Sequence, residues 1–355
     1  MKLESEFIQL PYHFDQKRLA YEVNKISLAD WMPHPSKLAG NFSCPLISVN
    51  GECNDLMSGE MLTTQYLEKM PYIRQIMETI GEIYGRSRLM LLKAGCQVVP
   101  HHDLHYHWFN RVRIHIPITT NPGVIFKCAD KAIHMDEGST WIFDSWKKHS
   151  VFNNSNHDRV HLVLDTCGSF KFWKVVEQLL QKPIDNRLNI LPYLSKNKNH
   201  LIKTEKFNVN ELMSAGEVDF FISFLIEDVT LNSANDPIHL NAFVDVLLQF
   251  QKAWRNTWLQ YGNEIASRKI YQQLIDNTDV ENNGLKLNSN GCDAKAAFYA
   301  LLLGVAINNQ QTQKSIKKNS EVDISLDSSK TDNLPQKRNS PCVCGSQKKY
   351  KYCCG

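Results

Sequence analysis

Short apolar runs separated by turn residues fill the chain between Val99 and Asp165. Within it, Arg111–Ile118 alternates polar and aliphatic side chains, which is the two-residue period of a strand buried on one face. Further strands are predicted at 124–127, 140–143, 150–153 and 160–165. Asn121-Pro122-Gly123 and Glu137-Gly138 are typical turns between them. Many short strands at close spacing favour a sandwich or barrel, such as a jelly roll with a pocket between its sheets.

The segment before these strands mixes helix and strand. Residues 15–26 have the apolar spacing of a helix that Asp15 caps, and 41–49 are strand-like up to the turn Asn50-Gly51. Pro71–Tyr84 is predicted to be a helix that ends before Gly85. A short apolar run, 88–92, leads on into the His-rich stretch.

The pattern becomes helical after Gly168. Helices are predicted at 171–181, 220–226, 237–261 and 294–307, the second behind a capping box at Ser214–Glu217. Their aromatic stripe is typical of a core and contains no catalytic constellation. Residues 310–340 are polar and without apolar periodicity, as in a flexible linker. We therefore predict four regions: a β-rich domain over 1–168, a helical region over 169–309, a linker over 310–340 and a small motif over 341–355.

Composition places the chain among globular proteins. Its 355 residues are 43% hydrophobic and 22% charged, and the net charge of +3 is too small to indicate a nucleic-acid partner. The first residues lack the apolar core of a signal peptide, and the apolar run 296–307 is too short to span a bilayer. We expect a cytoplasmic protein with no membrane partner and no sequence-specific nucleic-acid partner. Four of the ten cysteines crowd into the last fourteen residues, which favours reduced thiols and one metal site.

Three side chains of the β-rich segment form a candidate iron site. His101 and Asp103 are two residues apart, a spacing that points both side chains to one face of a strand. His149 is the best placed third ligand, from a neighbouring strand. Two imidazoles and one carboxylate are the set that holds non-haem Fe(II) and leaves coordination positions open.

The alternative is that these residues are structural. The segment contains nine histidines, and a single His in a strand is more often a structural or surface residue than a ligand. The His-x-Asp spacing alone is common. The combination with a distal His149, and with Arg159 ten residues further on, favours the metal site.

Arg159 opens the last predicted strand, where its side chain can face inward. A dicarboxylate such as 2-oxoglutarate would chelate iron at one end and leave a carboxylate for this guanidinium at the other. The alternative for Arg159 is a salt bridge at the rim, with Asp158 as partner. For Arg111, on the same predicted strand as Arg113, the structural alternative is a solvated position at the end of the strand.

Four stretches resemble the aspartyl/asparaginyl β-hydroxylase family of Fe(II)/2-oxoglutarate oxygenases. They read AGCQVVPHHD, NRVRIHIPI, EGSTWIFDSWKKHSVFN and DRVHLVLD. The resemblance implies a double-stranded β-helix, with iron on His101, Asp103 and His149 as catalytic ligands and Arg159 on the distal carboxylate of 2-oxoglutarate. It also implies that Arg113 and His115 line the cosubstrate pocket. The aromatic, His-rich loop 104–110 departs from the motif and is expected on the substrate side.

The activity that the resemblance implies is hydroxylation of a C–H bond, coupled to conversion of 2-oxoglutarate into succinate and CO2. The family name points to the β-carbon of an Asp or Asn side chain in a peptide or protein, and a free amino acid is a second candidate. A different class of function stays open. In it, the chain is a silent or sensor-type iron scaffold that acts through its helical region and tail.

The tail PCVCGSQKKYKYCCG carries Cys342, Cys344, Cys353 and Cys354. Four thiolates at this spacing can bind Zn(II) tetrahedrally and fold a segment too short for a core. The tail resembles the SEC-C zinc motif of a bacterial translocation ATPase and of many bacterial proteins, which implies docking to a protein or the ribosome. Its interleaved Lys and Tyr residues are either a contact patch or a solvated run. Disulfides are the minor alternative.

Overall fold

The computed structural model describes residues 1–35, 38–182, 189–195, 200–208, 211–281 and 283–308. The predicted linker and the four tail cysteines lie outside these residues. The described strands are β1 (Phe7–Phe14), β2 (Met32–Pro33), β3 (Asn41–Val49), β4 (Met61–Thr63), β5 (Ile83–Leu92), β6 (Gln97–His101), β7 (Val112–Thr119), β8 (Val124–Cys128), β9 (Lys131–Ile133), β10 (Ser139–Phe143), β11 (His149–Asn153), β12 (Arg159–Thr166), β13 (Ile190–Leu191) and β14 (Lys203–Thr204). The described helices are α1 (Gln16–Val23), α2 (Gln65–Glu68), α3 (Pro71–Ile80), α4 (Tyr106–Phe109), α5 (Phe170–Gln181), α6 (Ala215–Thr230), α7 (Pro237–Tyr261), α8 (Arg268–Asp276) and α9 (Ala294–Phe298).

Eight consecutive strands, β5 to β12, form the double-stranded β-helix that the family resemblance implies. The larger sheet contains the order β10-β7-β12-β5, and the smaller sheet has the order β6-β11-β8-β9. The chain therefore passes from one sheet to the other along its length, so that two antiparallel sheets wind around one interior. The pairs β6–β11 and β7–β12 bring together residues far apart in sequence. This confirms the predicted fold class for the described part of the chain.

The outer face of the larger sheet carries the main core. Ile114 and Ile116 of β7 and Leu162 of β12 are fully buried and pack with α1 and α3, through residues such as Leu19 and Ile76. Period-2 alternation then turns the polar residues of these strands toward the interior between the sheets. The alternation seen in the sequence thus separates core from site.

The helix predicted at Pro71–Tyr84 is four residues too long. α3 ends at Ile80, and Gly81 adopts a left-handed conformation with φ 79° while its N–H donates to the Met77 carbonyl. β5 then begins at Ile83. The apolar period continues across the break, so periodicity alone placed the stop at the wrong glycine.

β1 was not predicted, although it pairs antiparallel with β10 and extends the larger sheet. Its sequence, FIQLPYHF, contains Pro11, which argues against an interior strand. The register shifts between Gln9 and His13, so the proline lies at an irregularity where its missing N–H costs no ladder bond. An edge-like local sequence thus becomes an interior strand.

The helical region has its own core, as predicted. α6, α7 and α9 surround Phe221, Leu247, Trp254 and Phe298, all buried. The last predicted helix begins as α9, continues as a π-helical turn over Tyr299–Leu303 and ends at Gly304. Residues 1–307 pack as one compact unit, and the predicted boundaries within it remain predictions. None of the described helices is both long and apolar enough to cross a membrane.

Candidate active site

His101 and His149 are cross-strand partners. They face each other in the register of β6 and β11, and their ring centroids are 4.2 Å apart. β6 ends at His101, so the His-x-Asp pair straddles a strand end instead of lying within one strand. The backbone N–H of Asp103 donates to the Ser145 carbonyl at 3.1 Å, which returns the carboxylate toward the two imidazoles.

The three predicted residues come together around one point. His101 Nε2 lies 3.9 Å from Asp103 Oδ1, and His149 Nε2 lies 3.7 Å from Asp103 Oδ2. One donor atom from each residue falls within 4.8 Å of the other two. His149 and Asp103 are buried, while His101 is partly exposed. A cation at this point would be reached from solvent on the His101 side.

Backbone carbonyls fix the tautomer of both histidines. His101 Nδ1 lies 2.8 Å from the Val99 carbonyl, and His149 Nδ1 lies 2.9 Å from the Lys147 carbonyl. A carbonyl only accepts, so each Nδ1 carries the hydrogen and each Nε2 keeps its lone pair for a ligand. This arrangement, with the second nitrogen held by an outer acceptor, is typical of metal-binding histidines.

The charge state of the cluster also fits a cation. Burial raises the pKa of Asp103, but nearby positive charge, chiefly the Arg113 guanidinium 2.9 Å from Oδ2, outweighs burial and holds this pKa below its usual value. Burial lowers the pKa of His149 to about 4. At neutral pH the cluster therefore presents one carboxylate and a neutral His149, and these donors fit a divalent transition metal.

A second group of polar side chains lies on the larger sheet, on the face turned toward the interior between the sheets. Arg159 is buried at the start of β12, and its Nη2 donates to His161 Nδ1 at 2.7 Å. His115 of β7 lies beside them, its ring centroid 5.8 Å from that of His161. Among the described residues, Arg159 Nε, His161 Nε2 and both ring nitrogens of His115 have no hydrogen-bond partner.

This second group is suited to an anion. Burial lowers the pKa of Arg159 to about 9, so the guanidinium remains charged at neutral pH. No described carboxylate pairs with it, because Asp158 pairs with Lys93 at 2.8 Å instead. A buried cation without a counter-ion is costly, and a bound carboxylate would compensate it. The predicted alternative, a rim salt bridge between Arg159 and Asp158, is therefore wrong.

Aromatic rings join the two groups. Phe143 contacts His115 at 5.3 Å and His149 at 4.9 Å between ring centroids, and Phe126 lies 4.8 Å from Phe143. These rings come from β8 and β10, one from each sheet. These rings form an apolar wall between Arg159 and the group His101, Asp103 and His149, here called the metal cluster.

Arg113 lies nearer the metal cluster than the anion group. Its Nη1 pairs with Asp103, its Nε lies 3.7 Å from Asp165 Oδ1, and its guanidinium stacks 4.8 Å from the Trp108 ring. Asp165 also accepts from His107 Nε2 at 3.4 Å. The predicted loop 104–110 is thus partly the short helix α4, and His107 is a buried residue behind the site.

Two further arginines, not predicted as site residues, face the same interior. Arg86 and Arg88 of β5 are buried, and Arg88 Nη1 pairs with Asp55 Oδ1 at 3.2 Å. Arg86 also lies over the Trp108 ring, 5.7 Å from its centroid. The signal in the sequence is two arginines at period 2 inside the apolar strand IYGRSRLMLL.

Arg111 does not lie at the solvated end of a strand, which was the structural alternative for this residue. It is buried, and its Nε and Nη2 donate to the two carboxylate oxygens of Glu205 at 2.8 Å each. Glu205 directly follows β14 and lies beside the start of β5. Arg111 thus joins the sheet to the following segment and is not a solvated strand end.

Comparison with known proteins assigns this site to a class. Residues 55–168 match the family model described as Aspartyl/Asparaginyl beta-hydroxylase, and residues 338–355 match the SEC-C motif. Both resemblances seen in the sequence motifs are therefore confirmed: residues 55–168 are similar to the aspartyl/asparaginyl β-hydroxylases, and the tail is similar to the SEC-C motif.

One curated relative adds a particular protein. The chain is 27% identical over 176 residues to an L-proline cis-4-hydroxylase of Rhizobium meliloti (strain 1021). The match covers 46% of this chain and 63% of that relative, which is less than two thirds of its length.

Two solved structures show a partial similarity to this chain. A 2OG-Fe(II) oxygenase-family oxidoreductase from Burkholderia pseudomallei is 11% identical with a TM-score of 0.34, covering 46% of this chain and 85% of that one. A Pseudomonas putida prolyl-4-hydroxylase is 10% identical with a TM-score of 0.32, covering 47% and 95%.

Proposed function

We propose that this chain is an Fe(II)- and 2-oxoglutarate-dependent dioxygenase that hydroxylates a C–H bond of an amino-acid-like substrate. The observation that carries the proposal is the pairing of two sites in one interior. His101, Asp103 and His149 offer two imidazole nitrogens and a carboxylate, and Arg159 offers a buried cation that pairs with no carboxylate of the described residues. The family match and the hydroxylase relative support the same reading.

Each residue has a distinct role in this proposal. His101, Asp103 and His149 would hold the iron, which supplies dioxygen activation when bound. Arg159 would bind the distal carboxylate of 2-oxoglutarate, and His161 orients this guanidinium by accepting from Nη2. His115, with two ring nitrogens unpartnered within the described residues, would complete the cosubstrate pocket.

The contacts of Arg113 support a role beside the acidic ligand in addition to the predicted one. Its guanidinium keeps Asp103 ionised and holds it in place by a 2.9 Å ion pair. We therefore assign Arg113 to orientation of the acidic ligand, with contact to the cosubstrate as a secondary role. The ring of Trp108 packs against the guanidinium and limits its movement.

Arg86 and Arg88 support a substrate with a negatively charged group. Both are buried on the site face of β5, and Asp55 is the described carboxylate that pairs with them. The α-carboxylate of a free amino acid and the side-chain carboxylate of an Asp residue are two groups that these arginines can bind bidentately. The family name favours an Asp or Asn side chain, and the relative's name adds free proline.

The decisive experiment measures product. Purified protein is incubated with Fe(II), ascorbate and 2-oxoglutarate, and succinate is quantified with and without candidate substrates. Free proline, aspartate and asparagine, and peptides containing the last two, are screened by mass spectrometry for a gain of one oxygen atom. We expect succinate that depends on both iron and substrate. Absence of succinate with every substrate would contradict the enzyme and favour a sensor scaffold.

We infer that the tail binds Zn(II) through Cys342, Cys344, Cys353 and Cys354 and recruits a protein or ribosomal partner. The match to the SEC-C motif and the four-thiol spacing support this. A recruiting tail is dispensable for turnover of a small substrate. A deletion of residues 310–355 is therefore expected to keep full activity on a free amino acid and to lose the partner.

A further inference from the structure

The turn before His149 carries two backbone acceptors of the proposed metal site, one on each side of Trp146. The Ser145 carbonyl accepts the N–H of Asp103 at 3.1 Å. The Lys147 carbonyl accepts from His149 Nδ1 at 2.9 Å. The placement of Trp146 in the fold therefore affects the orientation of both Asp103 and His149.

The side chain of Trp146 is held by the helical region. Its indole Nε1–H donates to Ser289 Oγ at 2.7 Å, and the ring is buried in the second core with Phe109 and Phe224. The indole thus leaves the β-helix and inserts into the helical core. A tryptophan needs a partner for its N–H when buried, and Ser289 provides it.

Asp228 of α6 holds Ser289 in turn. Its Oδ2 accepts from Ser289 Oγ at 2.6 Å, and its Oδ1 accepts from the Ser289 N–H at 3.0 Å. The hydroxyl hydrogen of Ser289 is therefore committed to Asp228, and the oxygen lone pair is left for the indole. Asp228 is buried, so this relay is shielded from competing water.

A second contact reaches the same turn. The Asn290 side-chain amide donates to the Trp146 carbonyl at 3.3 Å. Ser289 and Asn290 therefore both hold Trp146, one at its indole and the other at its carbonyl.

We propose that Ser289, fixed by Asp228, is a positioning residue of the metal centre and that the helical region serves as the outer support of its ligands. Loss of the Ser289–Trp146 bond releases the turn 144–147. The Ser145 and Lys147 carbonyls then no longer hold Asp103 and His149 in one geometry. This inference rests on the proposed iron site and adds to it a role for residues outside the family match.

The test measures metal affinity directly. Mn(II) binding to full-length protein is followed by the electron paramagnetic resonance signal of free Mn(II), because hard oxygen and nitrogen donors bind this ion better than the tail thiols do. Ser289→Ala is expected to raise the Mn(II) dissociation constant about 10-fold, the lower end of effects at outer-shell partners. Ser289→Thr keeps the hydroxyl and is expected to restore wild-type affinity.

The matched control is Ser267→Ala. Ser267 is a similarly hydrogen-bonded serine of the helical region whose Oγ donates to the Glu264 carbonyl, away from the turn. Its loss should leave Mn(II) affinity within twofold of wild type. Equal affinities for Ser289→Ala and Ser267→Ala would overturn the proposal, as would a failure of Ser289→Thr to rescue.

Trp146→Phe provides a second route should Ser289→Ala fold poorly. It removes the indole N–H and keeps most of the ring in the core. Both substitutions break the same hydrogen bond, between Trp146 and Ser289. The double variant should therefore bind Mn(II) no more weakly than either single variant. Additive weakening would contradict the relay. Wild-type protein that binds Mn(II) but releases no succinate would reject the proposed activity while the positioning test still stands.

Discussion

His101 and His149 are 48 positions apart in sequence and stand directly opposite each other on β6 and β11. In each ring, Nδ1 donates to the backbone carbonyl of the residue two positions earlier in the chain. The same local geometry is used twice, once on each strand. It directs both Nε2 atoms toward Asp103 and leaves no freedom of tautomer. A pair built in this way serves metal binding better than it serves packing, since His101 remains partly exposed.

Removing either imidazole should abolish the metal site. His149→Ala leaves one nitrogen and one carboxylate, and we expect at least about a 100-fold loss of Fe(II)-dependent succinate formation, more than the loss usual for outer-shell partners. The measurement is initial rate at saturating 2-oxoglutarate with graded Fe(II). His157→Ala, at an exposed histidine of the same segment, is the control and should retain activity. Intact turnover by His149→Ala would reject the ligand assignment.

Arg159 should determine affinity for the cosubstrate. Arg159→Gln removes a charge-assisted pair to a carboxylate, worth about 1.5–3 kcal/mol, and should raise the KM for 2-oxoglutarate about 10- to 100-fold. Steady-state kinetics at fixed Fe(II) measure this. Lys93→Gln, which removes a neighbouring cation that pairs with Asp158 at the rim, should leave this KM unchanged. Equal effects of the two variants would contradict the assignment.

Arg88 should act on the substrate and not on the cosubstrate. Arg88→Leu removes a buried guanidinium from the site face of β5. We expect the KM for an anionic substrate to rise about 10-fold or more, while the KM for 2-oxoglutarate and the Mn(II) affinity stay near wild type. The Arg255→Leu control removes an exposed arginine of the helical region. A shift in the 2-oxoglutarate KM alone would place Arg88 in the other pocket.

His107 should make the fold sensitive to acid. Burial lowers its pKa to about 3, although Asp165 opposes this shift. The unfolded chain, with an ordinary histidine pKa of about 6.5, binds a proton first as pH falls, so folding stability drops below that pH. For this residue the loss between pH 7 and pH 5 is about 2 kcal/mol.

The substitution that tests this is His107→Gln, which cannot titrate. Urea unfolding at pH 7 and pH 5 should show a smaller difference for His107→Gln than for wild type, by about the 2 kcal/mol assigned to His107. His157→Gln, at an exposed position, should leave the pH difference unchanged. Identical pH slopes for wild type and His107→Gln would show that His107 is charged in the fold.

The tail should bind zinc independently of the iron site. Cys344→Ser removes one of four proposed thiolate ligands, and we expect the purified protein to lose its zinc while succinate formation on a small substrate stays unchanged. Elemental analysis by mass spectrometry measures the zinc. Cys53→Ser, which replaces an exposed thiol outside the tail, is the control. Retained zinc in Cys344→Ser would remove this cysteine from the ligand set.

The sequence by itself determined the residues that carry the proposed chemistry. The spacing of His101, Asp103, His149 and Arg159 distinguishes them within a segment of nine histidines, and the structure brings the first three to one point, although Asp103 lies beyond the end of β6. Local pattern also predicted most of the central strands and the helical region, since side-chain alternation follows directly from backbone geometry. Local pattern placed the end of α3 beyond Gly81 and did not predict β1. The end of a helix and the membership of a strand in a sheet both depend on contacts with distant parts of the chain.

Only the tertiary structure decided what surrounds these residues. Arg86, Arg88 and Asp165 became part of the site because strand pairing places them on the face shared with His115. Asp228 and Ser289 lie far along the chain from Trp146, and no local pattern links them. Ligand identity follows from chemistry that one strand can display, whereas ligand orientation depends on contacts between distant segments, which exist only once the chain has packed.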